Sequence, residues 1–323
     1  MEFPIELKEL IENKIKGLNK SHLKSDAQNI SERYRYASGQ GKRLLTLENE
    51  ALVYSLVRMP ATYGAISEAL SYTLELIDDI PRTLVDVGAG TGAGSFAADC
   101  LIHLNQVTCL EREQAMMNIG QSLMKDYPGV LKDATWKQFD LTKDVLPQGD
   151  LVVISYVLNE LDEVSRKKAV EKLFNATHKV LLIVEPGTPV AYQNLMQIRS
   201  QLLSLGANII APCPHENKCP LSKDDWCHFT TRIQRSSLHK QLKSGDAPYE
   251  DEKFSFLAVT KQPISNSFSR VLRHPYYDKG KVSLKLCTPQ GIVNQEVKKR
   301  EGQLYKKARK VKCGDLFLSL IHI

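Results

Sequence analysis

The stretch Thr83-Leu-Val-Asp86-Val-Gly88-Ala-Gly90-Thr-Gly92-Ala-Gly94 decides the fold. A short apolar run enters a glycine-rich turn, and a helical pattern begins near Ala93. Gly88, Gly90 and Gly92 permit positive φ and let the backbone approach a ligand closely. The helix that follows turns its N-terminal amides to the same place. Nicotinamide-binding folds use a similar turn, and Gly88, Gly90 and Ala93 satisfy its looser spacing. The acids discriminate. Asp86 precedes the turn, where a carboxylate repels a pyrophosphate but tolerates a sulfonium cofactor with a charged amino group. Glu111 ends the next apolar run, at the distance where an acid chelates ribose hydroxyls. Asp140 follows the third run, placed to accept from an adenine amino group.

Working outward, the apolar runs Thr83–Val87, Val107–Glu111, Thr135–Phe139, Leu151–Ile154 and Val180–Glu185 alternate with helical stretches. That rhythm predicts βαβ units and a doubly wound, mostly parallel sheet. Phe254–Thr260 reads as a sixth strand and Val282–Cys287 as a seventh. Residues 1–80 read as an N-terminal helical region, interrupted at Pro60. The division expected is therefore 1–80 helical, 81–290 Rossmann-like with a cysteine-rich insertion at about 205–245, and 291–323 a basic tail. Strand, turn and helix, with acids after the second and third strands, resemble the class I S-adenosylmethionine-dependent methyltransferases. That resemblance implies a cofactor pocket on Asp86, Gly88, Gly90, Gly92, Glu111 and Asp140. It does not establish transfer. The loop after the fourth strand, Ser155-Tyr-Val-Leu-Asn-Glu-Leu161, lacks an Asn/Asp-Pro-Pro-aromatic motif, and no nucleophilic cysteine follows closely. Tyr156, Asn159 and Glu160 are the candidates for orienting a substrate or taking a proton. Asn159 suits a helix cap equally well.

The 323 residues, 42% hydrophobic and 25% charged, exclude a disordered or disulfide-stapled chain. The net charge of +6 is uneven. Met1 to Cys227 carries 24 Lys and Arg against 29 Asp and Glu, whereas His228 to Ile323 carries 19 against 8. A polyanion partner is expected for the basic end. No run reaches the ~20 apolar residues of a membrane helix, so no membrane partner is expected. Met1 to Leu10 holds three glutamates and one lysine, unlike a presequence, so a cytoplasmic, bacterial-type member is expected. Cys213, Cys219 and Cys227, spaced by five and seven residues, form a dense thiol cluster with His215 and His228 beside it. In a reducing compartment such thiolates need a shared cation. Spacing leaves zinc on three cysteines and a histidine open beside an iron–sulfur cluster that needs a fourth thiolate.

Arg58-Met-Pro-Ala-Thr-Tyr-Gly64, the glycine turn, Ser155 to Leu161, Glu185-Pro-Gly-Thr-Pro189, the cysteine cluster and Tyr249 to Ser255 stand in one order. In that order they resemble the methyltransferase-like family associated with the small ribosomal subunit, over roughly Arg58 to Phe317. The resemblance implies a Rossmann-like protein that binds small-subunit ribosomal RNA and supports subunit assembly and translation, as a monomer off the ribosome. It also implies a 4Fe–4S cluster on Cys213, Cys219, Cys227 and Cys287. Cys313 is a weaker fourth ligand, since it stands where the family is expected to carry tryptophan. Lys298, Lys299, Arg300, Lys306, Lys307, Arg309 and Lys310 would neutralise phosphates, Tyr305 would stack on a base, and Arg232 and Arg235 would extend that surface. The alternatives are an active ribosomal RNA methyltransferase and, more distantly, a small-molecule methyltransferase with structural zinc. The apolar end Leu318–Ile323 has no functional reading.

Overall fold

The computed structural model describes residues 2–36, 47–243, 247–264 and 268–317, so the apolar end Leu318–Ile323 lies outside the described residues. Four helices open the chain: α1 (Ile5–Ile15), α2 (Lys20–Tyr36), α3 (Glu48–Val57) and α4 (Met59–Leu74). Pro60 is accommodated in the first turn of α4, where its missing N–H costs nothing, so the expected interruption becomes the α3–α4 junction. Then come β1 (Thr83–Val87), α5 (Ala93–Asp99), β2 (Gln106–Glu111), α6 (Gln114–Lys125), β3 (Thr135–Gln138), β4 (Gly149–Ser155), α7 (Glu163–Ala176), β5 (Thr177–Pro186) and α8 (Pro189–Ser204). Two helix starts are written locally. Asp162 caps α7 through the Ser165 amide at 3.0 Å, and Thr188 caps α8 ahead of Pro189.

β6 (Asn208–Ala211), β7 (Phe229–Gln234), α9 (Ser237–Lys243) and β8 (Tyr249–Thr260) follow. The main sheet runs β3-β2-β1-β4-β5-β8-β6, parallel through β5, with β8 antiparallel to β5, β6 and β7. This is a Rossmann-like class I methyltransferase fold with a mostly parallel sheet. Alternation decides which helices cover which face. Leu84, Leu151, Val153, Leu182 and Val184 pack beneath the N-terminal helices, α5 and α6. Val85, Val152, Ile154, Leu181 and Ile183 pack against α7 and α8. The order reverses between β1 and β4, and the crevice at their carboxyl ends is where an open α/β sheet holds ligands.

Two expectations need correction. Residues 205–245 are not wholly an insertion, because β6 and β7 both join the main sheet on the edge of β8. Only the loop between them, 212–228, stands apart. The 291–323 stretch does not begin as a tail. β9 (Arg270–Val271), β10 (Tyr276–Asp278), β11 (Lys281–Thr288) and β12 (Gly291–Lys298) form a second antiparallel sheet, followed by α10 (Gln303–Ala308). The boundary expected at 290 falls in the β11–β12 turn, and Val282–Cys287 belongs to this sheet rather than to the main one. The reason is a separate small core of Val271, Val282, Leu284, Leu286, Val297, Leu304, Ala308 and Phe317. Among the described residues no helix is long and apolar enough to cross a membrane.

Candidate functional site

A cleft opens at the β1–β4 switch point, lined by Gly88, Ala89, Gly90, Glu111, Arg112, Asp140, Thr142, Tyr156 and Glu160. Tyr54 of α3 and Thr62 of α4 also face it, so the N-terminal helices supply part of its wall. Gly88 and Gly90 stand at φ +67° and +58°, and a Cβ at position 88 would lie 2.4 Å from Val157 Cγ2. Glu111 accepts from the Gly90 amide at 2.7 Å and the Glu113 amide at 2.8 Å. Burial still raises its pKa, and each oxygen keeps a lone pair free to accept from a ligand hydroxyl. Asp140 accepts from Thr142 Oγ1 at 2.6 Å and pairs with Lys143 at 3.1 Å. The Thr142 hydroxyl, ahead of the lysine, holds its pKa down to about 2.

Asp86 and Gly92 do not line the cleft. Asp86 Oδ2 accepts from Ser95 N and Ser95 Oγ, each at 2.8 Å, while Oδ1 has no partner among the described residues and Gly92 packs beneath Met124 and Phe96. A buried carboxylate at a strand end takes the nearest helix N-terminal amide. Its role is to anchor α5, and burial pushes its pKa up to about 6.

The three residues considered for catalysis separate. Tyr156 sits at φ 58°, and its hydroxyl donates to Glu252 at 2.9 Å, inside a half-buried group that includes Arg58. Asn159 accepts from Asn194 at 3.1 Å; the capping role goes to Asp162. Glu160 faces the cleft, and burial raises its pKa to about 7, with Arg112 opposing and Glu111 and Glu113 adding. Behind the loop, Glu185 accepts from the Leu158 amide at 3.0 Å.

A second cavity lies beneath loop 212–228. Cys213, Cys219, Cys227 and Cys287 all line it, with Tyr192, Leu195, Met196, Pro212, Phe256 and Leu272. It lies beside the part of β8 left between β6 and β7. Burial, then neighbouring thiols, raise Cys227, and the same causes push Cys287 up to about 12. Cys313 is not in the lining; its thiol donates to the Leu272 carbonyl at 3.2 Å. His215 Nε2 lies 3.6 Å from Cys287 Sγ, and His228 Nδ1 contacts the Trp226 carbonyl. Among the described residues, no group of three or more His, Cys, Asp or Glu side chains is arranged to hold a metal ion. Asp225 ties the loop to the second sheet through Arg273 and through Lys285 at 2.7 Å. Arg199 and Arg270, both buried near these thiols, stand outside the candidates that the sequence offered. Arg199 carried a signal, since it falls on the apolar stripe of α8 with Leu195, Ile198 and Leu202.

The basic candidates also divide. Arg232 is held by both oxygens of Asp251 at 2.7 and 2.8 Å, and Arg235 is half-buried against Glu250 at 3.0 Å. Carboxylates on β8 already neutralise these two. Lys298, Lys299, Arg300, Lys306, Lys307, Arg309, Lys310 and Lys312 lie on the end of β12, on α10 and in the segments around it, most of them exposed. Tyr305 is half-buried against the small core.

Fold and crevice define a methyltransferase-like protein of the class I kind. The chain belongs to the family described as mitochondrial small ribosomal subunit Rsm22, whose model matches residues 48–318. The human protein named ribosome assembly protein METTL17, mitochondrial, is 28% identical over 352 aligned positions, covering 97% of this chain and 74% of that protein. The Saccharomyces cerevisiae protein named ribosome assembly protein RSM22, mitochondrial, is 25% identical over 34% of this chain and 28% of its own length. A solved magnesium protoporphyrin IX methyltransferase from Synechocystis aligns with 76% of this chain and 99% of its own, at 13% identity and a TM-score of 0.39. The family and both relatives are mitochondrial by name, which overturns the cytoplasmic, bacterial-type expectation. An acid-rich decapeptide reports its own composition, not a compartment.

Proposed function

We propose that this chain is an S-adenosylmethionine-binding, methyltransferase-like protein that binds small-subunit ribosomal RNA during ribosome assembly, with a structural 4Fe–4S cluster on Cys213, Cys219, Cys227 and Cys287. The observation that carries the reading is the convergence of four thiols, drawn from loop 212–228 and from β11, on one largely apolar cavity. Four thiolates is the donor set that a cuboidal cluster takes, and four line this cavity. When bound, the cluster supplies a cross-link between the main sheet and the second sheet, and thereby shapes the basic face beyond β12. S-adenosylmethionine would sit on the Gly88–Gly90 turn, with Glu111 taking the ribose and Asp140 the adenine. The relatives' names support the ribosome-assembly part. The test is anaerobic purification with iron, sulfide and zinc analysis, together with binding to small-subunit RNA at low salt. About four irons and four sulfides per chain support the reading. One zinc without iron, or no affinity for that RNA, sinks the corresponding part.

One observation favours a second reading, an active ribosomal RNA methyltransferase. Glu160 faces the cleft with its pKa raised to about 7, suited to taking a proton near neutral pH. Mapping methylated nucleotides with and without the gene decides it, and an unchanged pattern removes the transfer step.

A further inference from the structure

Two arginines are buried where no carboxylate pairs with them among the described residues. Arg270 is fully buried and Arg199 is 4% exposed. Arg270 Nη1 donates to the Gly314 carbonyl at 2.7 Å and its Nε to the Pro212 carbonyl at 3.4 Å, yet Nη2 has no partner among the described residues. Arg199 Nη2 donates to the His215 carbonyl at 2.8 Å, and its Nε is unpartnered in the same sense. Carbonyl oxygens satisfy N–H groups but leave the positive charge unbalanced, and a buried charge without a counter-charge is costly. Glu75 is the carboxylate that acts on Arg270, without an ion pair between them among the described residues. Tyr72 and Phe268 rings flank Arg270 with faces that welcome a cation but do not neutralise it.

Both guanidiniums hold the chain on either side of Cys213, Arg270 through the Pro212 carbonyl and Arg199 through the His215 carbonyl. Arg270 stands directly opposite Cys287 in the antiparallel β9–β11 pair, so the two side chains leave the same face of the second sheet. Arg199, like Arg270, acts electrostatically on Cys213 and Cys287. With four neutral thiols the cavity offers two cations no anion. With four thiolates around a cuboidal core it holds a net negative group that becomes one unit more negative when it accepts an electron.

We infer that Arg199 and Arg270 are the charge-compensating residues of the cysteine cavity, balancing a thiolate-bound cluster and raising its reduction potential. The inference rests on the cluster reading above and adds two residues to it. Each guanidinium favours the more negative, reduced state over the oxidised one, so its removal makes the group harder to reduce. Arg199→Met and Arg270→Met keep much of the length and remove charge; Arg199→Lys and Arg270→Lys keep charge and remove the planar fork.

The experiment is anaerobic purification of the full chain and these four variants, with iron and sulfide content, circular dichroism and spectroelectrochemical titration of the cluster. Each Met variant that retains iron and sulfide is expected to shift the reduction equilibrium at least tenfold toward the oxidised form, about 59 mV for one electron. The Lys variants are expected to stay nearer to wild type. If Arg270→Met does not fold, Arg199→Met decides. Met variants with full iron content and a wild-type midpoint overturn the inference, leaving the arginines as holders of loop carbonyls. A wild-type chain without iron and sulfide overturns the cluster reading itself and takes this inference with it.

Discussion

Glu185 shows what burial does to one carboxyl. One oxygen accepts from Leu158, the other has no partner among the described residues, and burial ahead of all other causes pushes its pKa up to about 8. An acid whose folded pKa exceeds the unfolded value near 4.3 holds its proton more tightly when folded. Its contribution to stability is therefore fully present below that value and is lost as pH rises through about 8. Glu185→Gln imitates the protonated form. Denaturation of the variant should match wild type near pH 4 and show a gain of roughly 2 kcal/mol or more near pH 8.5. A variant less stable at the higher pH contradicts this account. Gly88 gives a second test at this scale. Alanine there would have to hold φ +67° and meet Val157. Gly88→Ala should weaken S-adenosylmethionine binding at least tenfold by calorimetry while circular dichroism keeps the wild-type helix signal.

β11, β12 and α10 concentrate the chemistry of the second sheet. Cys287 enters the cavity with the other three thiols, whereas Cys313 is turned to a backbone carbonyl. Cys287→Ser should abolish iron and sulfide loading and Cys313→Ser should leave it near wild type; equal loss in both would give Cys313 a ligand's role. On α10 and the end of β12 the lysines and arginines have, among the described residues, no acidic screen like the one β8 gives Arg232 and Arg235. Replacing Lys306 and Lys307 by glutamine should weaken RNA binding and reduce the logarithmic salt slope by about 0.7–0.9 for each phosphate that is no longer neutralised. The same substitution at Arg232 should change little. The helix–strand rhythm of β1 to α8 is legible in the sequence because each period is local. The sheet that Val282–Cys287 joins is not legible, because an alternating run reads alike in either sheet.

At the scale of the molecule, loop 212–228 is latched to the second sheet by Asp225, which holds both Arg273 and Lys285. Asp225→Ala leaves two cations facing each other without their acid. In its half-buried setting the cost should be about 1–2 kcal/mol. Limited proteolysis should then cut loop 212–228 faster than in wild type while the main sheet stays resistant; an unchanged cleavage rate would mean the cysteine cavity holds the loop without the latch. The order of apolar runs, the glycine turn with Glu111 and Asp140, the density of thiols and the basic last third were all determined by the sequence alone. Each rests on residues near one another in the chain or on composition. Tertiary structure alone decided that Asp86 serves α5 rather than the cleft, that β8 neutralises Arg232 and Arg235, and that Arg199 and Arg270 stand near Cys213 and Cys287. Those outcomes depend on strand pairing and on charge acting through space between segments tens of residues apart, and no local pattern carries that information.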